Sequence, residues 1–358
     1  MRLQSSSHFL FTVCQQGAEK ALKEELGSAH PDFKFAYSRP GFLTFKNTQP
    51  TEIPFDFILH SIFARAYGVS LGGSPRNSKT IFQTAETLKS IYPLLKPHLH
   101  VWQRDFYPPG KEPLGYDPKT LSFTLEKDLR KDVPHFFEKP RSPKPQELVF
   151  DVILLDENQV WLGGHLHTTS HSPWPGGVPE LILPNEAPSR AYLKLEEAIL
   201  WSQAPLLRND TALELGSAPG GASYALLLRG LHVIGIDPGK MDDQILKNPH
   251  FQHIQRPVAQ VLREELPDSI QWLLLDMNVE PRVSIFAVDR LASRMKESLL
   301  GVFLTLKLNH WKITHEIPEI LSHIRQMGII KMKAAQLSRC RQEFMIYGLT
   351  RKGMARKL

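Results

Sequence analysis

The sequence predicts two architectures in series: an α+β first half and, from about residue 187, an α/β domain on a mostly parallel sheet. Three observations carry this. From residue 211 onward, short apolar stretches alternate with amphipathic ones, the pattern of strands covered on both faces by helices. The last two strand-like stretches have no helix between them, so one must run antiparallel. Between the halves lies "HTTSHSPWPGGVPELILPNEAP", a Gly/Pro-dense stretch that reads as a connection.

Taken in order, "HFLFTVC" (8–14) reads as a strand and "GAEKALKEELG" (17–27) as a helix closed by Gly27. "FKFAYSRPGFLTFK" reads as a hairpin turning near Pro40-Gly41, and "FDFILHSIFARAYGVSLG" as a helix running into a strand. These form a small α+β module over residues 1–75. In a second region, 76–172, "TIFQTAETLKSIYPLL" is a helix, and "LHVWQRDF", "QELVFDVILLD" and "QVWLGGHLH" are strands. The proline-rich, basic "RKDVPHFFEKPRSPKPQE" reads as an exposed loop. Its Lys131, Lys139, Arg141 and Lys144 either touch phosphates or are simply solvated. Residues 173–186 are the linker.

The domain at 187–358 opens with the helix "APSRAYLKLEEAI", where Leu193, Leu195, Ala198 and Ile199 face a core. Strands follow at "TALELG", "LHVIGID", "IQWLLLDM" and "GVFLTLKL", with helices at "GASYALLLRG", "RVSIFAVDRLASRMKESLL" and "ITHEIPEILSHIRQMG". "IIKMKAAQL" and "EFMIYGLTRK" close the sheet.

Hydrophobic content of 42% supports real cores, and 22% charged residues is ordinary for a folded protein. The net charge of +6 favours a polyanionic partner. Two cysteines, Cys14 and Cys340, make neither a disulfide framework nor a Cys-rich zinc site. His165, His167 and His171 cluster without Cys or carboxylate at ligand spacing, so no metal is expected. No stretch approaches a membrane span, and a soluble, cytoplasmic, monomeric protein is expected.

The first strand-to-helix turn, "LELGSAPGGASY", contains Gly216, Gly220 and Gly221, which let the backbone turn sharply. Such a turn also occurs for packing alone. The next strand ends at Asp237, 21 residues after Gly216, the spacing of an acid for a ribose diol. A P-loop would need Gly-Lys-Ser/Thr, and a dinucleotide would prefer G-x-G-x-x-G; neither is present. S-adenosylmethionine (SAM) remains, since it has no phosphate and needs no helix-dipole anion site.

"LGSAPGG" resembles the first motif of FtsJ-type ribosomal-RNA 2′-O-ribose methyltransferases. That family carries a Lys-Asp-Lys-Glu tetrad, and this chain supplies one in order: Lys194 in "SRAYLKLEEA", Asp276 in "WLLLDM", Lys307 in "VFLTLKL" and Glu343 in "RCRQEFMIYG". "APSR", "SIFAR" (61–65) and "AAQLSRCRQE" are similar to the bacterial branch that methylates a cytidine ribose of large-subunit rRNA. The resemblance implies a Rossmann-like domain with a mostly parallel seven-stranded sheet, preceded by a THUMP-type RNA-binding region. It implies SAM contacts from Ser189, the turn Gly216, Ser217, Ala218, Pro219, Gly220 and Gly221, and from Asp237 and Asp276. Phosphate contacts would come from Arg190, Arg339, Arg341, Arg351 and Lys352, with Arg356 and Lys357 in the tail. Two departures stand out: Glu214 where Asp is usual, and "IQRPVAQVL" where the family tends to place an acid near the adenine.

A ribose hydroxyl is a poor nucleophile and must shed its proton as it attacks. Lys307 is the expected neighbour of that oxygen, with burial and Lys194 expected to lower its pKa below the usual value of about 10.4. Asp276 and Glu343 would hold the pair in place. The chain lacks N/D-P-P-Y/F and a Pro-Cys pair, the marks of amino- and ring-directed methyl transfer. Two other readings keep the architecture: a non-catalytic RNA-binding or ribosome-assembly factor, and the same chemistry on another RNA.

Overall fold

The computed structural model describes residues 8–105 and 117–356, in two compact units, Met1–Pro179 and Glu180–Leu358.

The first unit contains β1 (Phe9–Val13), α1 (Glu19–Ala29), β2 (Phe33–Arg39), β3 (Phe42–Asn47), β4 (Ala66–Pro75), α2 (Ser78–Ile91), β5 (His98–Gln103), α3 (Pro118–Asp132), β6 (Leu148–Leu154) and β7 (Gln159–Leu166). Its seven strands form one sheet, ordered β2-β3-β1-β4-β7-β6-β5. Strands β4 and β7 come from either side of the expected boundary at residue 75 and pair directly, Val69 opposite Gly164. The stretches 1–75 and 76–172 therefore share one sheet.

Three local expectations differ from the structure. Helix α1 runs through Gly27 to Ala29, because Leu26 is buried and its carbonyl receives the His30 amide at 2.8 Å. Residues 55–64 form no helix. Buried Phe55, Leu59 and Phe63 recur every four residues and mimic a helical period. Yet the Ile62 and Phe63 amides donate to the Glu25 carboxylate, at 2.7 and 3.3 Å, instead of to a preceding helical turn. Helix α3 reaches into the stretch that reads as a loop, and its start is well marked: Asp117 accepts the Lys119 and Thr120 amides, and Pro118 holds the first helical position. Lys131 thus stands in the last turn of α3 and not in a loop. Lys139, Arg141 and Lys144 are exposed beyond it, and Arg141 pairs with Glu147 at 2.6 Å. His165, His167 and His171 are buried; His165 binds Asp151 at 2.9 Å and stacks on His171.

The second unit contains α4 (Ala191–Ser202), β8 (Thr211–Leu215), α5 (Gly221–Leu228), β9 (His232–Ile236), α6 (Asp243–Leu246), β10 (Phe251–Ile254), β11 (Trp272–Leu275), α7 (Pro281–Met295), β12 (Gly301–Lys307), α8 (Ile317–Gln326), β13 (Lys331–Ala335), β14 (Glu343–Leu349) and α9 (Arg351–Ala355). The sheet order is β10-β9-β8-β11-β12-β14-β13. All pairs are parallel except those of β14, which runs antiparallel to both β12 and β13. The reversed strand required by the missing helix is therefore β14, inserted between its neighbours. Edge strand β13 carries Lys331 and Lys333, charges that discourage further strand pairing.

Trp272, Phe303 and Tyr347 from three adjacent strands pack with Leu195 and Ala198 of α4 and Ala225 and Leu226 of α5. The Trp272 indole donates to buried Asp210 at 2.9 Å, and Arg356 grips the same carboxylate with two bonds of 2.6 and 2.8 Å. This fixes α9 against the sheet. It also gives Arg356, expected at RNA phosphate, a partner inside the fold. Lys357 lies outside the described residues. Among those described, no helix is long and apolar enough to cross a membrane.

Candidate active site

The chain leaves the middle of the second sheet in opposite directions, to β9 on one side of β8 and, later, to β11 on the other. In open α/β sheets, the crevice beyond the strand C-termini at such a reversal is where ligands bind. The glycine turn follows β8, Asp237 follows β9, Asp276 follows β11 and Lys307 ends β12. Because β14 is antiparallel, its first residue, Glu343, sits at this same end, paired directly with Lys307.

Gly216 (φ 86°) and Gly220 (φ 113°) adopt the left-handed region. A Cβ on Gly216 would lie 2.4 Å from the Asp276 carbonyl oxygen, and one on Gly221 would lie 2.3 Å from Ser189 Oγ. The close approach these glycines allow is therefore to the protein's own segments at Asp276 and Ser189. Asp237 faces the turn: its carboxylate accepts the Ala218 amide at 3.2 Å and the Gly239 amide at 2.6 Å. Lone pairs on both oxygens remain for a further partner. Pro219 accepts the Asp242 amide at 3.0 Å, and buried Ser217 touches Met241. His253 reaches from β10 to the Asp237 carbonyl at 3.0 Å.

Beside the turn, four side chains close a ring. Lys194 Nζ lies 2.7 Å from Asp276 Oδ2 and 2.6 Å from Glu343 Oε1. Lys307 Nζ lies 3.0 Å from Asp276 Oδ1 and 2.5 Å from Glu343 Oε2. Each carboxylate bridges both amines, and the ring is neutral when both lysines are protonated. The Lys194 side chain is only 15% exposed.

The expected lowering of the Lys307 pKa is overturned. Burial pulls it down, and Lys194 adds to that. Asp276 and Glu343 outweigh both, and the net direction is up. Lys194 moves the same way for the same reasons. At neutral pH the ring holds two ammonium groups.

Glu214, the departure in the first strand, is 3% exposed and accepts the Ser223 hydroxyl at 2.5 Å. Burial pushes its pKa up from 4.5 to about 8. Its folded-state value lies above the unfolded one, so its stabilising contribution is complete below pH 4.5 and declines as pH rises toward about 8. Glu214→Gln is neutral throughout and should not share this decline. The variant's unfolding free energy relative to wild type should rise by more than about 1 kcal/mol between pH 5 and 8; parallel curves in denaturant titrations would refute the assignment.

Of the cations expected at RNA, Arg190, Arg339 and Arg341 are exposed next to the ring's own segments. Arg190 immediately precedes α4, which carries Lys194, and the other two stand on the turn before Glu343. Arg351 is exposed on α9, and Lys352 there binds Glu297 at 3.1 Å. Sequence reasoning did not single out Ser223, His253 or Glu197. Of these only Glu197 had a usable signal, an acid one helical turn after Lys194.

Residues 187–345 match the FtsJ-like methyltransferase family. Among curated relatives, "Ribosomal RNA large subunit methyltransferase M" of Tolumonas auensis is 28% identical over a match spanning 60% of this chain and 60% of that protein. The protein of that name from Alkalilimnicola ehrlichii is 36% identical over 35% of this chain and 36% of its own length. That from Sodalis glossinidius is 30% identical over 51% and 52%. The chain thus spans no more than three-fifths of these relatives' lengths.

Proposed function

We propose that this chain is a SAM-dependent RNA 2′-O-ribose methyltransferase that acts on large-subunit ribosomal RNA, with a cytidine as target. The observation that carries the reading is the closed ring of two amines and two carboxylates beside the glycine turn. The family match over 187–345 and the printed name of the relatives support it.

The residues present suit SAM. Asp237 has lone pairs left for a ribose diol. Asp276 offers negative charge to a sulfonium at the sheet's reversal point, and Ser189 and residues 216–221 line the same edge. When bound, SAM supplies an electrophilic methyl group. The protein's part is alignment and proton handling. As an ammonium, Lys307 donates a hydrogen bond to the 2′-oxygen and holds it in line. Because its pKa is raised, the Lys307 ammonium must first release one proton to solvent; the neutral amine so formed then accepts the hydroxyl proton as the oxygen gains its methyl group. Alignment can supply several kcal/mol, about 7 in favourable cases.

In this reading the first unit is the THUMP-type RNA-binding part, and the protein is a cytoplasmic monomer. Phosphate contacts at the ring come from Arg190, Arg339 and Arg341. Replacing all three with Gln should weaken RNA binding and flatten the log K against log salt slope by about 2, at roughly 0.7 per single-stranded phosphate contact. Replacing Lys352, which is held by Glu297, should leave the slope alone. A triple variant with the wild-type slope would remove these arginines from the footprint. The function itself is tested by mapping ribose methylation in rRNA from cells with and without the gene. One large-subunit cytidine should lose its 2′-O-methyl group; unchanged maps would refute the assignment.

A further inference from the structure

Glu197 is the most deeply buried acid on α4, at 1% exposure, and the ring does not use it. One turn along the helix from Lys194, its Oε1 accepts the Ser338 amide and its Oε2 the Arg339 amide, each at 2.8 Å. Both amides belong to the turn joining β13 to β14, the turn that delivers Glu343. Burial raises the Glu197 pKa, and these amide bonds oppose the rise. A buried carboxylate without a bonded cation is costly, and an apolar side chain would fill the space without that cost.

The rest of the turn is equally constrained. Leu337 and Cys340 pack into the core with Leu195 and Ala198 of α4. Gln342, immediately before Glu343, holds a left-handed backbone (φ 49°), and its carbonyl accepts the Leu308 amide at 2.7 Å. A non-glycine residue keeps that conformation only where its surroundings impose it. Helix α4 therefore grips the turn twice, with Glu197 on its amides and Lys194 on the Glu343 carboxylate.

We propose that Glu197 is a positioning residue: by fixing the 336–342 turn to α4, it sets where the Glu343 carboxylate stands between Lys194 and Lys307. The kinetic consequence rests on the methyl-transfer reading; the effect on the two amines rests on geometry alone.

Glu197→Gln tests this. An amide has one acceptor oxygen, so one of the two backbone bonds is lost and an N–H group faces an N–H group. With Glu343 displaced, the Lys194 and Lys307 ammonium groups, followed by NMR in full-length protein, should titrate at lower pH than in wild type. The limb of the kcat–pH profile on which activity rises as Lys307 loses its proton should shift to lower pH with them, and the plateau kcat should fall about 10–100-fold. KM for SAM should stay within about twofold, since displacement of the turn leaves the Asp237 side of the crevice intact. Glu197→Asp keeps the charge but lacks one methylene and should show a smaller fall, which keeps the test alive if the amide variant folds poorly. Unmoved lysine titrations and an unmoved pH profile would overturn the proposal, including the case where kcat drops only with the folded fraction. If wild type transfers no methyl to any RNA, the functional reading fails, and the lysine titrations still decide the role of Glu197.

Discussion

Lys307→Ala is expected to lower methyl transfer to RNA about 10²–10⁴-fold, the range typical of a lost acid–base group, with little change in SAM affinity. Lys307 is the amine at the sheet end, paired with Asp276 at 3.0 Å and Glu343 at 2.5 Å. Its removal leaves two carboxylates to one ammonium, which tightens the hold on Lys194 without replacing the lost contact. Lys307→Arg separates two roles. A guanidinium keeps the charge and can orient the hydroxyl oxygen, but it does not give up its proton. An Arg variant as inert as Ala means proton acceptance is essential; one near wild type means Lys307 only aligns the oxygen. Single-turnover rates with saturating SAM make the comparison, and an Ala variant at wild-type rate would remove Lys307 from the chemistry.

Asp276→Ala should be at least as severe, about 10²-fold or more in kcat/KM, because the residue acts in two places. Its two oxygens bridge both amines, at 2.7 and 3.0 Å, and in the proposed reading the same carboxylate also offers negative charge to the SAM sulfonium. Without it two ammonium groups share Glu343 alone, and their mutual repulsion should push one off line and lower its pKa. SAM affinity should fall as well, measurable by calorimetry in the absence of RNA. A variant that binds SAM as wild type does, and whose kcat is unchanged, would contradict both roles. The contrast with Lys307→Ala, where SAM affinity persists, distinguishes the cofactor side of the ring from the substrate side.

How much of this was legible in the sequence differs between the two units. In the second, strands buried on both faces left apolar runs that need no tertiary knowledge to see, and the missing helix before Glu343 required the reversed β14. The four ring residues were also legible, but only as a set, since each alone has a plainer explanation. Their charge state was not. Burial and the Lys194–Lys307 repulsion can be inferred from residue type, whereas the double bridging by Asp276 and Glu343 that reverses the shift exists only in three dimensions. In the first unit, the four-residue spacing of Phe55, Leu59 and Phe63 read as a helix because the competing hydrogen-bond partner, Glu25, lies 37 residues before Ile62. Strand β10, only four residues long with two polar positions, gave too short a pattern to read. The tail shows the same limit: Arg356 looked free for RNA because its partner Asp210 is 146 residues away.

The task proposed for the ring is to direct a methyl group to a ribose oxygen. Its most direct test is single-turnover transfer of labelled methyl from SAM to large-subunit rRNA taken from cells lacking the gene, followed by digestion to nucleosides. Wild-type protein should place the label in 2′-O-methylcytidine, about 10²–10⁴-fold faster than Lys307→Ala does. Label on a base, or equal incorporation by wild type and the variant, would contradict it.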